Sequence, residues 1–378
     1  MPDVSVIDLI TAIETRLKKV STQSLDLSFN ELLDMYDNHE LDISPDYQRL
    51  FQWSEGARSR FIESLLLEMP VPPIYVVEEE DNKYLLIDGL QRISSYLHLR
   101  GKLSAPQLDP PVVEGQKLEL TDCDIVKELN GKTFDDLGTA LQIKLKRAFI
   151  RVEVVRKGSD PRFKYHMFKR LNTGGEPLTP QQLRNCSIRL LSPTFIDFIK
   201  KLRERAAFQA CTTTLTNERT LAAFDEELIL RFFAFRNNID GFKHDIADFL
   251  TEYMEGVSDP SEATPFNYNE QEAAFDKTFS ILAATLGEDA FTYANKKTKK
   301  LTSGFGVLQF EAFTIGLQPH LDRLDPTNQD MMERLETRLR ALKVEEQFIG
   351  ATTGGGKNSP GLLKARINSV DQAVAEVS

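Results

Sequence analysis

What this chain has little of narrows its class before any motif does. Only three of its 378 residues are cysteine (Cys123, Cys186 and Cys211), an odd number without CxxC spacing. That argues against a disulfide framework and a zinc ribbon, and it fits a reducing compartment. No apolar run approaches the roughly 18 residues that a membrane span requires. The opening Met-Pro-Asp-Val-Ser-Val-Ile-Asp carries an early acid and no basic segment, so neither a secretion signal nor a transit peptide is expected. A cytoplasmic protein without membrane contact is the expectation. Internal repeats and low-complexity tracts are missing too. So is a basic excess: the formal net charge is −11. Neutralising phosphates supplies most non-specific affinity for DNA, so the overall field argues against autonomous DNA binding, although local basic clusters can override it.

What is present is ample material for a core, with 41% hydrophobic residues against 27% charged, over a length that suggests two domains. Val6, Ile10, Ile13, Leu17 and Val20 fall at helical spacing and predict an amphipathic opening helix. Ser28 and Glu31 make a capping-box pattern for a second helix through Tyr36, ended by Asn38. After an extended segment from Leu41, Ser54 and Glu55 start a helix with Phe61, Ile62, Leu65, Leu66 and Met69 on one face, stopped by Pro70, Pro72 and Pro73. Ile74–Val77 and Tyr84–Ile87 read as strands joined by an acidic turn, and Asp88-Gly-Leu-Gln-Arg leads into a helix ending near Gly101. Between 104 and 140 one strand is expected at Leu118–Leu120. A helix over 141–148 precedes a β-branched strand over 150–155, and Ser159 and Pro161 open another helix. Thr179, Pro180 and Gln182 give the next helix a cap, a first-position proline and a capping-box partner. Beyond 190 the pattern is helical, as in Pro193–Arg205, Phe224–Phe235 and Met331–Leu342, with loops over 259–269 and 350–360. The expected fold is α+β: a mixed α/β domain over 1–190 and an all-helical domain over 191–378.

Three motifs in the first domain have chemical potential. Tyr47-Gln48-Arg49 is followed by Trp53. Asp88-Gly89-Leu90-Gln91-Arg92 sits on a strand-to-helix turn. Asn172-Thr173-Gly174-Gly175 closes a helix. Gly89 lets backbone approach a ligand, and the N–H groups opening the next helix favour an anion. Arg92 and Arg49 offer forked donors for phosphate, and Asp88 is suited to a Mg²⁺ or to orienting a water. The amides of Asn172–Gly175 can form an anion nest. Gln48 and Gln91 can read a base or sugar edge, or position a nucleophilic water. Each motif also has a purely structural reading: a Gly-Gly after a helix is commonly a C-cap, an Asp-Gly is commonly a turn, and Trp53 fits a core anchor better than a stacking platform.

The order of motifs adds a resemblance. Pro45-Asp-Tyr-Gln-Arg, Trp53, Pro70-Val-Pro-Pro-Ile-Tyr, Ile87-Asp-Gly-Leu-Gln-Arg, Phe168-Lys-Arg-Leu-Asn-Thr-Gly-Gly and Leu178-Thr-Pro-Gln-Gln-Leu-Arg-Asn together resemble the N-terminal domain of GmrSD-type type IV restriction enzymes, over residues 25 to 190. The resemblance implies a ParB/sulfiredoxin-like fold, binding and hydrolysis of an NTP with Mg²⁺, and a sensor role in DNA restriction or anti-phage defence. It implies that Asp88, Gln91 and Arg92 are catalytic, and that Gln48, Arg49, Gly89 and Asn172 to Gly175 bind nucleotide. Leu90 departs from the family's Asp-Gly-Gln-Gln-Arg signature, which puts one ligand contact in doubt. None of the five histidines (His39, His98, His166, His244, His320) lies in the His-x-x-Pro context of an HNH nuclease, and no PD-(D/E)xK arrangement is evident. The implied partners are therefore a nucleotide, DNA reached directly or through a second protein, and a separate nuclease or effector chain; a homo-oligomer is compatible with this. Two other readings stay open: a ParB-like DNA-binding or DNA-cleaving protein without NTPase activity, and a non-catalytic adaptor with a vestigial site.

Two further features have bland explanations. The Gly-Gly-Gly-Lys near residue 356 resembles a Walker A loop, but the first glycine falls at Gly350 instead of 351, and Asn358 stands where a Mg²⁺-binding Ser or Thr is needed. The run Lys296, Lys297, Lys299 and Lys300 reads as a solvated surface, with contact to nucleic-acid phosphates as the alternative.

Overall fold

The computed structural model describes residues 9–11, 14, 21–43, 53–106, 108, 110–171, 179–243, 245–259, 264–354 and 356–377. Most of the expected opening helix, Gln48, Arg49 and Asn172–Gly175 lie outside these residues.

The chain divides into two compact units, 1–178 and 179–378. In the first, β1 (Thr22–Ser28), α1 (Phe29–Asp37), β2 (Leu41–Asp42), α2 (Glu55–Leu66), β3 (Ile74–Glu78), β4 (Tyr84–Asp88), α3 (Leu90–Leu99), α4 (Gly138–Arg147), β5 (Phe149–Val155) and α5 (Pro161–Leu171) follow in order. The five strands form one mixed sheet, β1-β5-β3-β4-β2. Pairing is antiparallel for β1–β5 and β3–β4, and parallel for β3–β5 and β2–β4. Ser28 and Ser54 cap α1 and α2 by accepting from the backbone N–H of Glu31 and Ala57; at Ser28 this is half of the predicted capping box. Phe29 of α1 packs on Tyr96 of α3 and edge-on to Phe61 of α2, so one aromatic cluster ties three helices together.

Two expectations fail in this unit. The strand β1 was not foreseen, because this edge strand is largely exposed and its apolar alternation is confined to Leu25 and Leu27. No strand forms at Leu118–Leu120. Both leucines are buried, but Leu118 donates its N–H to the His98 carbonyl at the end of α3, and Leu120 exchanges backbone bonds with Gly131 and Lys132. These are turn and helix-end partners rather than a ladder.

The second unit begins earlier than the expected residue 191. Its elements are α6 (Pro180–Arg189), α7 (Thr194–Arg203), α8 (Ala206–Cys211), α9 (Asn217–Leu221), α10 (Phe224–Asn238), α11 (Ile246–Ser258), α12 (Tyr268–Thr285), β6 (Thr292–Ala294), β7 (Leu301–Phe305), α13 (Val307–Gly316), α14 (Gln329–Val344), α15 (Glu346–Thr352) and α16 (Pro360–Ala375). The helix α6 has the expected reciprocal capping box between Thr179 and Gln182. It folds with the second unit because Arg184 and Asn185 reach buried Glu227 and Glu226 of α10, each through a hydrogen bond, at 2.8 and 2.6 Å. The unit is not all-helical: β6 and β7 pair as an antiparallel hairpin. Three residues of β6 are too few for a recognisable period of two.

Phenylalanine makes the core here. Phe232 and Phe233 of α10 contact Phe195 and Phe198 of α7 and Phe275 and Phe279 of α12. The helix α10 is buried from Asp225 to Phe235 on all sides, so its charges need partners. They have them: Arg184 pairs with Glu227, Glu227 with Arg231, Arg231 with Glu311 and Glu311 with Arg366, an alternating chain through α6, α10, α13 and α16. The three cysteines are buried and none is in a disulfide. Burial pushes the Cys211 thiol up to about 12, which keeps it protonated and inert. No described helix is long and apolar enough to cross a membrane.

Candidate functional site

The Asp88–Arg92 turn is built where β4 ends and α3 begins. Asp88 is the last residue of β4 and pairs in register with Tyr75 of β3. Gly89 then adopts φ 110°, a conformation that strongly favours glycine, and a Cβ at this position would come within 2.3 Å of Ile74 Cγ2. Two constraints, backbone angle and packing, thus demand glycine independently of any ligand. Because Gly89 has no side chain, it cannot cap α3, whose first internal bond runs from Ile93 N–H to the Gly89 carbonyl. The amides that open α3 precede that bond and carry the positive end of the helix dipole.

Arg92 lies one turn into α3, its side chain only 16% exposed, and its Nη2 donates to Asp88 Oδ2 at 2.8 Å and to the Pro73 carbonyl at 3.1 Å. Its Nε is buried and has no hydrogen-bond partner among the described residues. The guanidinium is therefore aimed and held by one nitrogen, while another buried donor is left over. The Asp88 carboxyl is 35% exposed. Among the described residues no group of three or more His, Cys, Asp or Glu is arranged to hold a metal. A lone carboxylate of this kind matches Mg²⁺ bound mostly by waters and substrate phosphates, not a protein cage.

Gln91 points elsewhere. Its Oε1 accepts the Trp53 N–H at 3.1 Å, while Trp53 O accepts from Arg58 Nε at 2.8 Å. Gln91 and Arg58 thus grip both backbone groups of one residue and fix where the chain enters α2. Trp53 itself is half-buried and meets Phe61 edge-on, which agrees with an anchor role. Leu90 is buried, so this departure from the family signature is accommodated inside the fold.

Behind the turn lies a pair that sequence reasoning missed. Arg58 is buried, and its Nη1 lies 3.1 Å from Nδ1 of buried His98. A guanidinium can only donate, so Nδ1 accepts and the imidazole proton sits on Nε2. Burial, aided by the Arg58 charge, pulls His98 down to about 4 and keeps it neutral. The signal was available: Arg58, Phe61, Ile62 and Leu65 share one helical face, and an arginine on an apolar stripe must find a partner inside. His320 is also buried, its Nε2 2.6 Å from Asp371 Oδ1, a packed role.

Residues 29–189 match the family model described as the N-terminal domain of the GmrSD restriction endonuclease. The match covers 161 of the 378 residues, and over that length the chain is similar to this family. Comparisons with curated proteins and with solved structures gave no match.

Proposed function

We propose that the first unit binds a nucleoside triphosphate with Mg²⁺ at the Asp88–Arg92 turn and hydrolyses it as the sensing part of a restriction system. The observation that carries this is Arg92: a largely covered guanidinium, 16% exposed and fixed through Nη2, set in the first turn of a helix whose first amides have no side-chain cap. An anion of several oxygens would supply the missing acceptors at once. Arg92 would hold the terminal phosphates, and Asp88 would take an inner or water-bridged place on Mg²⁺, whose charge would offset that of the phosphates. In hydrolysis a water oxygen would bond to the γ-phosphorus as the bond from that phosphorus to the β–γ bridging oxygen breaks; the nucleoside diphosphate leaves and the water's proton passes to the released phosphate. Gln91 is a positioning residue in this reading, since its Oε1 holds Trp53. Gln48, Arg49 and the Asn172–Gly175 loop enter on their sequence alone.

The adaptor reading has its own support, because the Gly89 contact with Ile74 and the Gln91 bond to Trp53 explain two signature residues as fold. One experiment separates the two: equilibrium NTP binding and phosphate release by the whole chain with and without Mg²⁺, beside Arg92→Ala and Asp88→Asn. Loss of a charged hydrogen-bonding group should weaken binding in Arg92→Ala by about 10- to 100-fold. Asp88→Asn keeps an acceptor for Arg92 but removes the carboxylate, so it should retain metal-free affinity and lose the Mg²⁺ dependence. No binding of any NTP by the native chain would leave the adaptor reading standing.

A further inference from the structure

The hairpin of β6 and β7 carries a concentration of positive charge that no carboxylate among the described residues pairs with. Its tip, residues 295–300, is exposed throughout and contains Lys296, Lys297, Lys299 and Lys300. None of the four forms an ion pair among the described residues. That contrasts with Lys201, Arg205, Arg338, Arg340 and Lys364 of the same unit, all of which sit on carboxylates. The chain as a whole is acidic at −11, so these four cations are not part of a general basic bias.

The tip is also built to hold its shape. Asn295 Oδ1 accepts from the N–H groups of Lys297 and Thr298 at 2.9 and 3.2 Å, and Asn295 N–H donates to the Lys300 carbonyl at 2.8 Å. Lys299 takes the left-handed conformation at φ 53°, a cost that an ordinary surface loop would avoid by using glycine. The root is anchored: buried Lys343 donates to the Thr292 carbonyl, and Phe291 and Phe305 pack against each other and against Phe310. Lys296 extends to the neighbouring glycine-rich loop, its Nζ 3.4 Å from where a Cβ on Gly354 would stand.

We propose that this hairpin is a contact for duplex DNA, its four lysines resting on backbone phosphates. A two-stranded ribbon is one of the shapes that enters a major groove, and lysines on a rigid tip neutralise phosphates without reading sequence. The contact is independent of the nucleotide site and stands or falls separately from it.

The test is fluorescence anisotropy of the full chain on an unmodified 30-base-pair duplex across a sodium chloride series. It is run beside the quadruple variant Lys296→Gln, Lys297→Gln, Lys299→Asn and Lys300→Gln, with asparagine at 299 because it tolerates the left-handed backbone. Each neutralised phosphate adds about 0.9 to the log–log salt slope, so the variant should bind more weakly at low salt and lose about 3 to 4 from that slope. Its melting temperature and nucleotide affinity should match the native chain's. A variant slope within one of the native value, or no native binding at low salt, overturns the proposal. Loss of nucleotide binding in Arg92→Ala with the salt slope intact would show the two sites to be separate.

Discussion

Arg58 and His98 make a buried pair in which both groups are ionisable and only one is charged, and acid should disturb it first. The His98 pKa falls from the ordinary 6.5 to about 4. The unfolded chain therefore binds more protons than the folded one between those values. Its contribution is fully present above pH 6.5, is lost as pH falls, and levels off below about 4; the linked free energy is at most about 3 kcal/mol. In His98→Asn, thermal melts from pH 7 to pH 4.5 should fall less steeply than in the native chain, although the variant starts lower. An equally steep fall would assign the acid sensitivity to the carboxylates. Arg58→Met, which removes the charge and also the grip on the Trp53 carbonyl, should lower stability at every pH by about 2 kcal/mol.

Elements in this protein are pinned by side chains whose valence is fully used, and Lys343 is the clearest case. Its ammonium donates to the carbonyls of Asp289, Ala290 and Thr292 at 2.7, 2.9 and 2.7 Å, and it faces the Phe313 ring at 5.0 Å. Burial pulls Lys343 down to about 7, while three acceptors favour the three-donor ammonium. Lys343→Met keeps the stem's volume but strands three carbonyls, so it should cost about 3 kcal/mol in urea denaturation. A change under about 1 kcal/mol would show that water reaches those carbonyls. The same scale shows why the sequence was legible in places. Caps at Ser28, Ser54 and Thr179 marked helix starts because one side chain and one N–H decide them locally. The strands β3, β4 and β5 showed in their apolar and β-branched runs. By contrast β1 exists only through its pairing with β5, and the path of Leu118 is set by His98, so neither has a local cause to read. At the site, Gly89 and Arg92 were visible as a motif, but the tie of Gln91 to Trp53 depends on two segments meeting in space.

At the scale of the whole chain, the two units should differ in what they need in order to fold. A fragment beginning at Thr179 keeps the alternating charge chain intact and should give a cooperative melt with a helical circular dichroism spectrum. A fragment beginning at residue 191 removes Arg184 and Asn185 from the buried carboxylates of Glu227 and Glu226 and should lose about 3 kcal/mol or more. Equal stability of the two would place α6 with the first unit after all.

The position of α6 also bears on how such proteins can be recombined. The family match runs to residue 189, yet the division by packing falls between Leu178 and Thr179. The helix is thus shared: its sequence travels with the matched segment, and its arginine and asparagine complete the interior of the second unit. A first domain transplanted from a relative would bring its own version of that helix. It would succeed only where the incoming helix offers the recipient's carboxylates a matching cation and amide. Exchange of modules between such chains is therefore filtered at one helix face, and engineered hybrids should be joined before Thr179 rather than after Arg189.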